Sequence, residues 1–167
     1  MRLRARRRLA VRVLVGGVGY RNLRDHSIGP WLADRLADRA RNGIEVEDLS
    51  YHPIGASQNL QERPAYDRLV LVGAVVRGRE PGTVEAYRWT GELPAPEEVQ
   101  ARIAEAVTGV ISLDNLLAVV GTFGGFPDDV RVVEVEPADE GWGEGFSEQV
   151  QSRLGEIEEA VWSSTRP

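Results

Sequence analysis

The chain has 167 residues, 42% hydrophobic and 28% charged, which suits one globular domain with a proper core. It contains no cysteine, which excludes disulfides, zinc–thiolate sites and a cysteine nucleophile. Its formal charge is −6, every basic residue is arginine, and no apolar run nears the roughly 20 residues that span a bilayer.

The opening "MRLRARRRLAVRVLVGG" places Arg2, Arg4, Arg6, Arg7, Arg8 and Arg12 ahead of a valine-rich run. That run is short, is interrupted by Arg12 and lacks a small-residue cleavage site, so residues 1–10 read as an arginine-rich leader, not a signal peptide. Without those six arginines the net charge would be −12. An acidic body of this kind argues against nucleic acid as a partner, and the chain is expected to be cytoplasmic and free of membrane contact. A single α/β domain is expected over residues 11–162.

Leu9 to Gly16 has the apolar character of a buried parallel strand. A glycine turn and a polar stretch follow, and Pro30 sits where a helix can begin. Leu32, Leu36 and the alanines at 33, 37 and 40 give that helix an apolar face, which Asn42-Gly43 ends. Ile44 to Leu49 reads as the second strand, and Ser50 to about Pro64 as a polar loop. "DRLVLVGAVVRG" (67–78) is the third and most apolar strand. A turn at Pro81-Gly82 leads into a fourth. Val99, Ile103 and Val107 line one helix, and Leu113, Leu116, Leu117 and Val120 a second. "DDVRVVEVEP" (128–137) alternates with a period of two, which predicts a fifth strand with one more exposed face. From Ser147, a closing helix carries Val150, Leu154, Ile157 and Val161 on one side. This alternation predicts a three-layer α/β sandwich: a mostly parallel five-stranded sheet with helices on both faces. Ligands in such folds sit beyond the carboxyl ends of the strands, which directs attention to Gly17–Ile28, Ser50–Pro64 and the surroundings of Gly73.

The glycine turn "GGVGYRNLRDHSIG" admits several readings. A dinucleotide cradle needs G-x-G-x-x-G opening directly into a helix, whereas here Gly17-Val18-Gly19 precedes Tyr20-Arg21-Asn22 and the helix is delayed. Asp48 would stand in for the ribose-binding acid. A plainer reading makes the glycines a tight turn and Asp25 a helix cap. The stretch also resembles the opening motif of the hydrogenase maturation endopeptidases, through Gly17, Val18, Gly19, Tyr20, Leu23, Asp25, His26, Ile28 and Gly29. Four further segments continue the resemblance in order, from about residue 11 to 162. They are Asp48 closing strand two, Val70 to Thr83 with its P-G-T turn, "GGFPDDVRVVEVEP", and "GWGEGFSEQV".

The resemblance implies an endopeptidase that recognises nickel already inserted in the large subunit of a nickel–iron hydrogenase and removes a C-terminal extension from it. It implies no cofactor held by this chain itself; the nickel is the partner's. It also implies three metal-facing side chains: a first-loop acid, an aspartate ending strand three, and a histidine ahead of a late helix. Here the first falls on His26 and the second on Gly73. The third falls on Gly109 or Asp114, depending on how the spacing is counted, and the family's asparagine after the glycines is Tyr20. Glycine offers no donor, and losing even an outer-shell partner typically costs about 10–100-fold in metal affinity or activity. The expectation is therefore a protease-like protein with a degenerate nickel-recognition site, a non-catalytic or atypical accessory factor that binds the large subunit or an assembly intermediate. Two alternatives stay open. His26 and Asp114, with Asp25 and His52 nearby, would form a rearranged metal site in a still-active endopeptidase. Alternatively, the strand-end cleft would bind a small molecule or nucleotide. Of Trp31, Trp89, Trp142 and Trp162, three are expected to be structural and one available to an interface.

Overall fold

The computed structural model describes residues 10–40 and 42–167. Five strands form one sheet: β1 (Val13–Gly17), β2 (Ile44–Asp48), β3 (Arg68–Ala74), β4 (Val84–Arg88) and β5 (Asp129–Val135). Their order is β2-β1-β3-β5-β4, with every pairing parallel except the antiparallel β4–β5 edge. The helices are α1 (Ile28–Ala37), α2 (Pro53–Glu62), α3 (Pro96–Val107), α4 (Leu113–Phe123), α5 (Glu148–Gln151) and α6 (Leu154–Thr165). This is the expected three-layer α/β sandwich. The arginine-rich leader lies outside the described residues except for Ala10, and among the described residues no helix is long and apolar enough to cross a membrane.

Because side chains alternate along a strand, one sheet feeds two cores. Leu14, Leu69, Leu71, Val130 and Val132 face α2 and α4, where Leu60, Leu113, Leu116 and Val120 meet them. Val13, Val15, Val70, Val72, Val133 and Val135 face α1 and α6, against Leu32, Leu36, Ile157 and Val161. Only Val99 and Ala106 of α3 are buried.

Three expectations are corrected. Ser50–Pro64 is not a loop but contains α2. His52 caps that helix by accepting from the Ile54 amide (3.2 Å), Pro53 occupies its first turn, and Pro53, Ala56, Ser57 and Leu60 are buried. Serine and glycine inside the segment hid a narrow apolar stripe. The closing helix is two pieces, α5 and α6, and β5 has no exposed face toward its end. Glu134 is 1% exposed there and Glu136 3%, because both carboxylates have internal partners.

Candidate functional site

The order in which strands are added reverses at the β1/β3 boundary, since β2 lies on one side of β1 and β3 on the other. A crevice opens beyond the strand ends at such a point. It is a cleft of about 510 Å³ lined by Val18, Gly19, Tyr20 and His26 from the first loop, Val75 after β3, and the segment leading into α4.

The glycines of the first loop serve close packing. A Cβ on Gly17 would lie 2.0 Å from the Gly29 carbonyl oxygen, and one on Gly29 would meet the Val18 amide nitrogen at 2.4 Å. The two glycines let α1 press against the end of β1. Gly19 is equally tight, its missing Cβ falling 2.0 Å from the His26 carbonyl oxygen. These positions shape the loop.

Asp25 does not cap a helix. It lies fully buried in a 3-10 turn (Arg24–Ser27), and its carboxylate accepts from the amides of Ala138 (2.8 Å), Asp139 (2.9 Å) and Ser147 (2.8 Å) and from the Ser147 hydroxyl (2.8 Å). One buried charge thus pins the loop between β5 and α5 with four hydrogen bonds. His26, beside it, lines the cleft, and its Nε2 lies 2.9 Å from Glu140 Oε1 on that same loop.

Asp48 stands apart from the cleft lining. It accepts from the Ser50 amide (2.9 Å) and from Arg21 (2.9 Å), while Ser50 Oγ accepts from the Gly19 amide (3.0 Å). Its work is to splint the second loop to the first. His52, as the cap of α2, is likewise outside the cleft lining.

Asp114 sits in the first turn of α4 and borders the cleft; Ser112 is the cap there. Both Asp114 carboxylate oxygens are held by Arg77, at 2.7 and 3.0 Å. The same guanidinium reaches the buried Glu134 at 2.8 Å, where Arg79 (3.0 Å) and the Tyr87 hydroxyl (2.7 Å) also donate. Burial alone would push the Glu134 carboxyl up, but the hydrogen bonds from Arg77, Tyr87 and Arg79 hold it below the usual glutamate range. Burial, and then the bond to that carboxylate, push the Tyr87 phenol up. The sequence does not reveal this cluster, because Glu134 sits in an alternating strand whose period of two predicts one more exposed face. The arginines at 77 and 79, opposite the acidic end of β5, were the available signal.

Tyr20 answers for the asparagine that the motif leads one to expect. Its hydroxyl donates to the Gly109 carbonyl (2.6 Å) and accepts from the Ile111 amide. It therefore straps the first loop to the segment between α3 and α4, and both alternative placements of the family's histidine, Gly109 and Asp114, fall on that side of the cleft. Gly73 closes the second position. A Cβ there would stand 2.8 Å from the Val18 carbonyl oxygen, so the first loop has settled onto the space a side chain would need.

The sequence-predicted residues His26, Asp114, Tyr20 and Gly19 thus meet around one cleft, with Gly73 beneath it, whereas Asp25 and Asp48 are structural. The donor set does not fit the gripping of a metal ion. Asp114 is fully engaged by a guanidinium, His26 faces Glu140, and among the described residues no three histidine, aspartate or glutamate side chains come together at metal-binding range.

The doubly wound sheet, with its cleft at the β1/β3 switch, has the fold of solved hydrogenase maturation endopeptidases. Solved structures agree. The hydrogenase maturating endopeptidase HybD from E. coli superposes with a TM-score of 0.68 at 24% identity, over 93% of both chains. An endopeptidase from Escherichia coli gives 0.70 at 23% identity with the same coverage. The hydrogenase 2 maturation peptidase from a Thaumarchaeota archaeon gives 0.64 at 21% identity, over 92% of this chain and 97% of that one. No protein-family model and no curated protein sequence matches the chain. The shared property is the fold, over nearly the whole length.

Proposed function

We propose that the protein is an accessory factor in nickel–iron hydrogenase biogenesis, one that engages a large subunit or assembly intermediate through the strand-end cleft without processing it. The observation that carries this reading is the bidentate Arg77–Asp114 contact above a Gly73 that presents no side chain. The Arg77 guanidinium already engages both oxygens of a carboxylate that borders the cleft, and Gly73 has no side chain to contribute. The fold of maturation endopeptidases across nine-tenths of the chain supports a role beside those enzymes, although a fold alone does not specify chemistry.

The test is capture of partners from the native host, followed by intact-mass measurement. The large subunit is expected to co-purify with unchanged mass. Loss of a C-terminal extension from a nickel-loaded large subunit, dependent on this protein and abolished by His26→Ala, would establish instead an active endopeptidase with rearranged ligands.

A second reading is favoured by the size and lining of the cleft. About 510 Å³ walled by Val18, Val75, Val110, Ile111 and Leu113 is room for a small molecule with an apolar body. A saturable rise in melting temperature with a nucleotide or small metabolite would support it, since a ligand of the native state stabilises by mass action.

A further inference from the structure

Three of the four tryptophans are packed, as expected. Trp31 meets Phe146 edge-on at 5.3 Å, Trp89 meets Phe126 at 5.5 Å, and Trp162 lies against the α1/α6 core. Trp142 is 80% exposed. Leaving so large an apolar side chain in water has no structural return, and the loop that carries it is held still. The Asp25 carboxylate fixes Ala138, Asp139 and Ser147. Gly143 pairs with the first loop in both directions, donating to the Asn22 carbonyl (2.7 Å) and accepting from the Arg24 amide (3.1 Å). Arg24 also donates to the Glu144 carbonyl (2.7 Å), and the Gly141 amide donates to Asp139 Oδ1 (2.8 Å). The indole is therefore presented by backbone anchored on both sides of it.

The surroundings say what fits there. Asp139, Glu140 and Glu144 flank the indole in sequence, on a protein whose formal charge is −6. Asp139 lies 4.0 Å from Arg24 and Glu140 faces His26, whereas Glu144 has no ion-pair partner among the described residues. Glu140 is also the partner of His26, which places the loop at the mouth of the cleft. An open indole face attracts a guanidinium or ammonium group, and nearby carboxylates strengthen that preference. A tryptophan carried on pre-ordered backbone pays for ordering only its side chain on binding, which suits an interface hot spot.

We propose that Trp142 and the carboxylates that flank it in sequence, Glu144 above all, form a docking anchor for an arginine- or lysine-bearing segment of a protein partner, set beside the cleft. This builds on the accessory-factor reading by naming the chemistry of the partner's contact. An anionic membrane surface would be repelled by the same carboxylates.

The test uses the full chain and a fluorescein-labelled octapeptide of alternating arginine and alanine, with a glutamate–alanine peptide as its counterpart, followed by anisotropy at low salt. The wild type is expected to bind the basic peptide saturably and the acidic one not at all. Trp142→Ala should weaken binding by about 10-fold, Trp142→Phe by less, and Glu144→Gln should reduce the salt dependence. None of these should shift the melting temperature, because the side chains altered are exposed. Binding of the basic peptide by Trp142→Ala within about twofold of the wild type, or no saturable binding by the wild type, overturns the proposal. So does concentration-dependent dimerisation of the wild type that Trp142→Ala abolishes, because the occupant would then be a second copy of the chain. A large subunit captured equally by wild type and Trp142→Ala would sink this anchor and leave the accessory role standing. Peptide binding without capture of a large subunit would do the reverse.

Discussion

Arg77 holds two carboxylates at once, and its removal makes a prediction whose sign can be worked out. In the folded protein the Glu134 carboxyl sits below its ordinary value of 4.5 because hydrogen bonds from Arg77, Tyr87 and Arg79 outweigh the effect of burial. A group whose folded value is depressed contributes stability that is present above the unfolded value and is lost as pH falls through the folded one. In Arg77→Met the burial remains, while the largest compensating donor is gone. The variant should be less stable near neutrality by about 2–4 kcal/mol, in line with breaking a buried pair on one side. That deficit should shrink as the pH drops below about 4.5, where Glu134 is protonated in the unfolded chain. Urea unfolding at neutral and acid pH measures it directly. A deficit that stays constant across that range would mean that Arg77 stabilises through packing rather than charge. Tyr87 and Arg79 still donate to Glu134 in the variant, which keeps the protein folded enough to measure.

Among the elements, the segment between α3 and α4 depends most on a single side chain. The Tyr20 hydroxyl bonds to both Gly109 and Ile111, and Val107 and Val110 nearby are exposed, so apolar burial does little to hold the segment. Tyr20→Phe removes both bonds and keeps the ring. The expected cost is about 1–2 kcal/mol, from one lost neutral bond and one orphaned amide. It should be accompanied by faster hydrogen exchange at Ile111, with protection in β1 and β3 intact. Unchanged exchange at Ile111 would show that the strap is redundant. This contact also marks where the sequence stopped being readable. The strands are legible because valine and leucine mark them along a common sheet, and the first-loop glycines are legible as a tight turn, although the packing of Gly17 on Gly29 is not. Tyr20, Arg77 and Glu134 are not, since each acts on a residue far along the chain: 89, 37 and 47 positions away for Gly109, Asp114 and Tyr87. Periodicity reports neighbours along an element, and for 128–137 it predicts only that one face is more exposed. α2 was lost to the same rule in a milder form. Its apolar stripe is short, and the His52 cap belongs to a residue type seldom read as a helix start.

At the scale of the whole molecule, the sheet is the only layer common to both cores, so it sets how the protein comes apart. Leu116 in the α4 layer and Ile157 in the α6 layer are both fully buried, and they lie in separate clusters on opposite faces of the sheet. Leu116→Ala and Ile157→Ala should each destabilise by about 2–5 kcal/mol, from lost transfer energy and the cavity left behind. With no contact in common, their effects should add to within about 0.5 kcal/mol. Yet because Leu69, Val70, Leu71 and Val72 alternate between the two cores along one strand, neither layer can melt while the other persists. Far-ultraviolet circular dichroism should therefore coincide with tryptophan emission, which sums Trp31 and Trp162 on one face, Trp89 on the other and the exposed Trp142, through a single transition in either variant. α3 is the exception, with two buried residues in twelve, and its amides should exchange well before the global transition. If Leu116→Ala instead split the transition, with Trp162 emission surviving loss of the α4 layer, the α1/α6 side would be an independent unit. The cleft would then sit on the less stable half of the protein.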